Sequence, residues 1–246
     1  MNCLHTTALT PAQKKEVQAL VLACRTEEPL TLSAPLEEGL DYFLCYEGEL
    51  LCSMLFLFFP EETLCECSGF TLPSFRRRGY FSCLLEAALS YVDSKEEASG
   101  TEIDFCFITD DRTPSAAAVM KALDAGYWYS EYSMERPLTG ADCAFQGVLT
   151  IQDMGDHLYA ARSGDQTVGV CMIIPSGKSV YFYGFEIKEP FRHKGFGRDF
   201  LSGMLKLLAP DYQTITLQVS SLNTAALSLY KKTGFSITET LSCYLY

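Results

Sequence analysis

The hydrophobic positions of the chain change period several times, and each change marks an element. Val17, Leu20, Val21 and Cys24 recur at helical spacing behind Thr10-Pro11-Ala12-Gln13, where threonine can cap, proline can open the first turn and glutamine can reach back to the cap. A first helix ending near Arg25 is predicted. Strand-like runs follow at Tyr42–Tyr46, Leu50–Phe59 and Leu64–Leu72, divided by turns at Glu47-Gly48-Glu49 and Pro60-Glu61-Glu62, the pattern of an antiparallel meander. Leu50–Phe59 is only about half the length of a membrane helix and reads as a buried strand. Arg76-Arg77-Arg78-Gly79 then leads into a helix with Phe81, Leu84, Leu85, Ala88 and Leu89 on one face. A strand at Ile103–Ile108, a helix at Pro114–Leu123 closed by Gly126, and a strand at Tyr127–Met134 complete this half.

From Tyr159 the same order returns: a strand, a turn at Ser163-Gly164-Asp165, strands at Thr167–Ile174 and Val180–Ile187, a glycine-containing turn, helix, strand, helix, strand. Residue identities return with it. Gly69-Phe70-Thr71-Leu72 and Phe75-Arg76-Arg77-Arg78-Gly79-Tyr80 match Gly184-Phe185-Glu186-Ile187 and Phe191-Arg192-His193-Lys194-Gly195-Phe196, and Ala125-Gly126-Tyr127 matches Thr233-Gly234-Phe235. The chain therefore reads as an internal duplication of one α/β unit, with domains expected at 1–138 and 139–246. The boundary falls near Pro137–Gly140, and the second copy lacks room for the opening helices.

Composition narrows the picture. The 246 residues are 48% hydrophobic, enough for packed cores in one large or two small domains, and Met1–Lys15 has no charged lead before an apolar core, so a cytoplasmic protein is expected. The eleven cysteines include no Cys-x-x-Cys, and Cys45, Cys52, Cys106 and Cys171 lie inside apolar strands, where a reduced thiol acts as a small hydrophobe. Cys65 and Cys67 should share one strand face. His5, His157 and His193 are too scattered for a zinc site, and no metal is expected. Residues 1–138 carry ten Lys+Arg against 22 Asp+Glu, whereas residues 139–246 carry nine of each. All of the net charge of −12 thus sits in the first half, which argues against nucleic acid and leaves the neutral half better suited to a polyanionic cofactor. No membrane partner is expected, and the sequence does not fix an oligomeric state.

The chemistry concentrates at Tyr181–Arg198. Gly195 and Gly197 allow close backbone approach, and the helix they open offers free N–H groups to an anion, with Arg192, Lys194 and Arg198 nearby. Gly184 inside an aromatic strand marks either a bulge that opens a cleft or crowding by its neighbours. Asn223 is placed to cap the last helix, and positions 223, 226/227 and 230 form one stripe reading Asn, Ala, Tyr. In the first copy the stripe reads Ser115, Ala118, Ala122, and Phe81 stands where the second has Gly197, so the second copy reads as competent and the first as degenerate.

On these residues, 165–246 resembles the GCN5-related N-acetyltransferase (GNAT) superfamily: the strand end at Ile187, Arg192-x-x-Gly195-x-Gly197, Leu217-x-Val219 leading to Asn223, and Ala226, Leu229-Tyr230 and Gly234-Phe235. Residues 1–138 resemble a second, eroded copy. The resemblance implies an α/β (α+β) fold of two tandem GNAT-like domains, each a mixed, mostly antiparallel sheet flanked by helices. It implies acetyl transfer from acetyl-CoA to a primary amine of a small molecule or peptide by direct attack in a ternary complex. The cofactor would be held by Ile187, Arg192, His193, Lys194, Gly195, Phe196, Gly197, Arg198 and Asn223. Tyr230 is implied as proton donor to the leaving thiolate, and Glu186 is the candidate acceptor of the amine proton. The alternative is a CoA-binding regulatory module without turnover. A Rossmann-type nucleotide site is disfavoured because the third glycine is missing.

Overall fold

A computed structural model describes residues 2–142 and 147–246, so Cys143 lies outside the described residues. The chain divides into two compact units, Met1–Ser130 with Leu241–Tyr246, and Glu131–Thr240. The C-terminal hexapeptide thus belongs to the first unit and residues 131–138 to the second, whereas a single cut near 137–140 assigns both the other way.

Unit 1 opens with β1 (Asn2–Thr6), a short edge strand paired antiparallel to β2 (Asp41–Glu47). Between them lies α1 (Pro11–Glu27), whose predicted cap forms in full: Thr10 Oγ1 accepts from Gln13 N at 3.2 Å and Gln13 Oε1 accepts from Thr10 N at 2.9 Å. The meander continues through β3 (Leu50–Glu61) and β4 (Leu64–Thr71), and Cys65 and Cys67 are buried together as expected. A 3-10 turn at Pro73–Phe75 leads to α2 (Tyr80–Ser99), which runs on past Val92 until Gly100 ends it at φ 72°. Next come β5 (Asp104–Asp110), α3 (Pro114–Leu123) and the start of β6 (Gly126–Pro137). The helix stops at Asp124 in the left-handed region, and Gly126 instead begins the strand.

Unit 2 takes the rest of β6, then β7 (Thr150–Asp153), β8 (Leu158–Ser163), β9 (Gln166–Ser176) and β10 (Ser179–Ile187). A second 3-10 turn, Glu189–Phe191, precedes α4 (Phe196–Leu208); β11 (Thr214–Ser220), α5 (Thr224–Lys232) and β12 (Ser236–Leu245) follow. Residues 241–245 of β12 pair antiparallel with β5 inside unit 1, while Glu131–Pro137 of β6 pair antiparallel with β11 inside unit 2. Two strands therefore each serve both units.

Each unit is a mixed sheet with one parallel pair, β4–β5 in the first and β10–β11 in the second, among antiparallel neighbours. Unit 1 buries both sheet faces: α2 and α3 cover Leu55, Leu57, Cys65 and Phe105, and α1 with residues 30–40 covers Tyr42, Leu44, Met54 and Phe70. In unit 2 both helices lie on the same face, where Phe200, Leu201, Met204 and Tyr230 meet Val180, Phe182, Ile215 and Leu217. No described helix of unit 2 covers its other face, in keeping with the missing opening helices.

Candidate active site

The parallel pair of unit 2 is short. β10 and β11 are in register only at Ser179–Tyr181 against Thr214–Thr216, and beyond that point the strands diverge. A strand that leaves its neighbour exposes backbone N–H and C=O groups that need another partner. The divergence coincides with a bulge: Tyr183 pairs with Met172 and Glu186 with Val170, so β10 carries one extra residue. Gly184 sits in it at φ 59°, which is why glycine stands inside this aromatic strand. The bulge keeps Phe185 on the helix-covered face, where its ring lies 5.3 Å from Phe200 and 6.4 Å from Tyr230, and it turns Glu186 to the other face.

A second close approach supports this strand end. A Cβ on Gly169 of β9 would run into Glu186 O and lie 2.8 Å from Ile187 Cδ1. Sequence reading passed over this glycine because the clash is with a strand paired across the sheet.

The turn after β10 winds back through two left-handed residues, His193 at φ 60° and Gly195 at φ 87°. The first N–H groups of α4, from Phe196 and Gly197, have no acceptor inside the helix and point out of its N-terminus. The N–H of Arg198 donates to Gly195 O at 3.0 Å, so this amide is already satisfied. A Cβ at Gly197 would lie 3.6 Å from both Ile187 Cγ1 and Leu229 Cδ2, so strand end, turn and last helix converge here.

The basic side chains do not converge in the same way. Arg192 folds back, donating from Nε to Ile187 O at 2.7 Å and approaching Glu186 Oε1 at 3.3 Å. Lys194 donates to Pro190 O at 2.8 Å. Arg198 lines a cleft of about 540 Å³ with Arg136, Asp142, Ser202 and Lys232, in which Asp142 is already paired with Arg136. Asn223 caps α5, its Oδ1 accepting from Ala226 N at 3.1 Å. Tyr230 is buried beside Phe185 and Phe235, and burial pushes its phenol up to about 12. Glu186 is exposed, and its ion pair with Arg192 is a surface one.

The helix-free face of unit 2 holds residues that local sequence did not single out. Tyr181 and Tyr183 stack at 5.8 Å, and the Tyr181 hydroxyl donates to Gln218 Oε1 at 3.3 Å. Glu131 of β6 stands opposite Ser220, the last residue of β11. Burial raises its carboxyl above the usual range, only partly offset by the Ser220 hydrogen bond.

Unit 1 repeats the turn without the bulge. Arg77 at φ 61° and Gly79 at φ 84° reproduce His193 and Gly195. The β3–β4 register, however, runs unbroken from Glu66 to Thr71, with no bulge at Gly69, and the Leu55 side chain fills the room beside it. The Ser68 hydroxyl donates to Ile108 O at 3.0 Å, extending the parallel pair beyond Cys67–Phe107. Phe81, in the place of Gly197, packs on Phe107. Glu28 accepts from Ser115 N at 2.9 Å and Ser115 Oγ at 2.6 Å and meets Arg76 Nη1 at 2.8 Å, so a carboxylate of the chain occupies the N-terminus of α3, the counterpart of α5. Thr31 donates to Asp110 at the end of β5 from both its N–H and its hydroxyl at 2.6 Å.

No cluster of His, Cys, Asp and Glu suited to a metal ion occurs among the described residues, and no described helix is long and apolar enough to cross a membrane. Residues 117–235 match the sequence model of the acetyltransferase (GNAT) family, a span that starts inside α3 and ends after α5. No curated protein matches the chain. Among solved structures it is similar to a GCN5-related N-acetyltransferase from Sphaerobacter thermophilus, at TM-score 0.75 and 13% identity over 99% of this chain and 95% of that one. It is also similar to a tandem GNAT protein from the clavulanic acid biosynthesis pathway, at TM-score 0.67 and 11% identity over 100% and 98% of the two chains. A GNAT-family acetyltransferase from Colwellia psychrerythraea aligns over the full length of both chains at TM-score 0.61 and 10% identity. At such identities the likeness is one of fold. The chain thus has a tandem GNAT fold and carries a domain of the acetyltransferase (GNAT) family over residues 117–235.

Proposed function

We propose that the protein is an N-acetyltransferase acting on a primary amine, with one working site in unit 2 and a degenerate copy in unit 1. The observation that carries this reading is the bulged divergence of β10 from β11, which ends at an open helix N-terminus in unit 2 and is stitched shut in unit 1. Acetyl-CoA supplies the acetyl thioester. The residues suit it: a bare inner edge of β10 for an extended amide-containing arm, and the amides of His193–Gly197 at the start of α4 for a diphosphate. Gly197 keeps the passage between Ile187 and Leu229 open, where Phe81 fills its counterpart. Arg192, by holding the Ile187 carbonyl, fixes the strand end; Lys194 and Arg198 belong to the same turn and helix, and Asn223 caps α5.

Three demands remain: a neutral amine, a donor to the carbonyl oxygen as negative charge develops, and a proton for the departing sulfur. A backbone N–H of β10 near Ile187 meets the second. Tyr230 meets the third, since burial keeps its hydroxyl protonated throughout the neutral range. Glu186, beside the divergence on the helix-free face, is the first candidate for the amine proton. The test is acetyl-CoA-dependent thiol release across a panel of primary amines, with Tyr230→Phe alongside. Turnover lowered about 100-fold with unchanged acetyl-CoA binding supports the assignment of Tyr230. Tight CoA binding with no transfer to any amine supports a binding module and overturns the enzyme reading.

A further inference from the structure

Two carboxylates, Glu186 and Glu131, stand on the helix-free face of unit 2 beside the diverging strands, and their surroundings differ. Glu186 is exposed and held by Arg192, whose guanidinium also anchors the Ile187 carbonyl. Glu131 is half-buried, directly across the β6–β11 pair from Ser220, so its side chain lies on the same face as Ser220 and Gln218. The Tyr181 hydroxyl, donating to Gln218, faces it from β10, and Tyr181 in turn feels the Glu131 charge, second to its own burial. On β12 the charged group of this neighbourhood is Glu239, which already accepts from Ser133 Oγ at 2.9 Å. No Lys or Arg pairs with Glu131 among the described residues.

From this geometry we infer that Glu131 takes the proton from the attacking amine, directly or through one water, while Glu186 and Arg192 position the end of β10. The inference rests on the acetyltransferase reading. In the step the amine nitrogen forms a bond to the acetyl carbonyl carbon and the carbon–sulfur bond breaks. The amine proton passes to the Glu131 carboxylate and the Tyr230 hydroxyl proton to the sulfur, giving an amide and a free thiol. Proton exchange with water then restores both side chains. The raised carboxyl of Glu131 suits this role, because a base works best when its proton affinity approaches the working pH.

Glu131→Gln, Glu131→Asp and Glu186→Gln are compared with the full-length wild type, using tyramine, spermidine, glucosamine and a glycine-initiated tetrapeptide as amine probes. The account expects kcat to fall about 100-fold or more in Glu131→Gln, partial recovery in Glu131→Asp, and loss of the acidic limb of the kcat/KM profile only at position 131. Glu186→Gln, which loosens Arg192 at the end of β10, should raise the KM for acetyl-CoA while leaving the acidic limb of the kcat/KM profile in place. As an activity-independent readout, ¹³C NMR of labelled glutamate carboxyls should show one resonance titrating above the ordinary glutamate range and absent from Glu131→Gln. A wild type that transfers to a probe while Glu131→Gln keeps its rate and acidic limb overturns the inference alone. A wild type that binds acetyl-CoA and acetylates none of the probes overturns it together with the acetyltransferase reading.

Discussion

Tyr230 and Asp110 show how one environment can act in opposite directions. Burial raises the Tyr230 phenol to about 12 from an ordinary value of 10. Its contribution to stability is therefore complete below pH 10 and is lost as pH rises from there through 12. Tyr230→Phe should accordingly flatten the alkaline unfolding curve in that window, as read by circular dichroism. At Asp110 burial alone would raise the carboxyl, but hydrogen bonds from Arg112 and Thr31 outweigh it and hold the group far below the usual range. This stabilises unit 1 above about pH 4 and is lost as pH falls through the folded value. Asp110→Asn should cost roughly 2–4 kcal/mol at pH 7 and distinctly less at pH 2, measured by urea unfolding at both pH values. The reverse dependence would contradict the assignment. At Gly169 even one methyl group meets the Glu186 carbonyl, so Gly169→Ala should displace the end of β10 and weaken acetyl-CoA binding. Calorimetry showing unaltered affinity would mean that this strand end plays no part in the site.

Elements differ in how much of them local sequence reveals. The capping box of α1 and the parallel turns at Arg77–Gly79 and His193–Gly195 were legible, because each depends on residues within a few positions of one another, whereas Gly184 read equally as a bulge or as crowding until the pairing with β9 decided for the bulge. The edge strands β1 and β7 were not, since Asn2–Thr6 and Thr150–Asp153 are short, largely exposed, and defined only by pairing with β2 and β8. Glu131 was missed for the same reason, as its partner Ser220 is brought beside it by the sheet alone. The closing of the first copy was half legible: Phe81 for Gly197 stood in the sequence, whereas Glu28 and Thr31 reach their partners only through the fold. The strand exchange at β12 gives a prediction at this scale. Removing Leu241–Tyr246 strips β5 of a neighbour and exposes Cys106 and Phe107, so thermal unfolding should start at least roughly 5 °C lower, a loss of ~2 kcal/mol or more. An unchanged melting curve would show that unit 1 does not need the hexapeptide.

For the whole molecule, the proposed function places a single cofactor site in each chain, in the unit whose strand carries the bulge and whose helix opens with Gly197. The fold and the family domain follow from the match at 117–235 and the tandem structural likeness. The contrast between Gly197 and Phe81 isolates the claim, because the two residues occupy equivalent places after equivalent turns. The most direct measurement is calorimetric titration of the full-length protein with CoA, for the wild type and for Gly197→Phe, with circular dichroism confirming that the variant stays folded. The account predicts one site per chain in the wild type and none in the folded variant. Two sites in the wild type, or one that survives in Gly197→Phe, would contradict it.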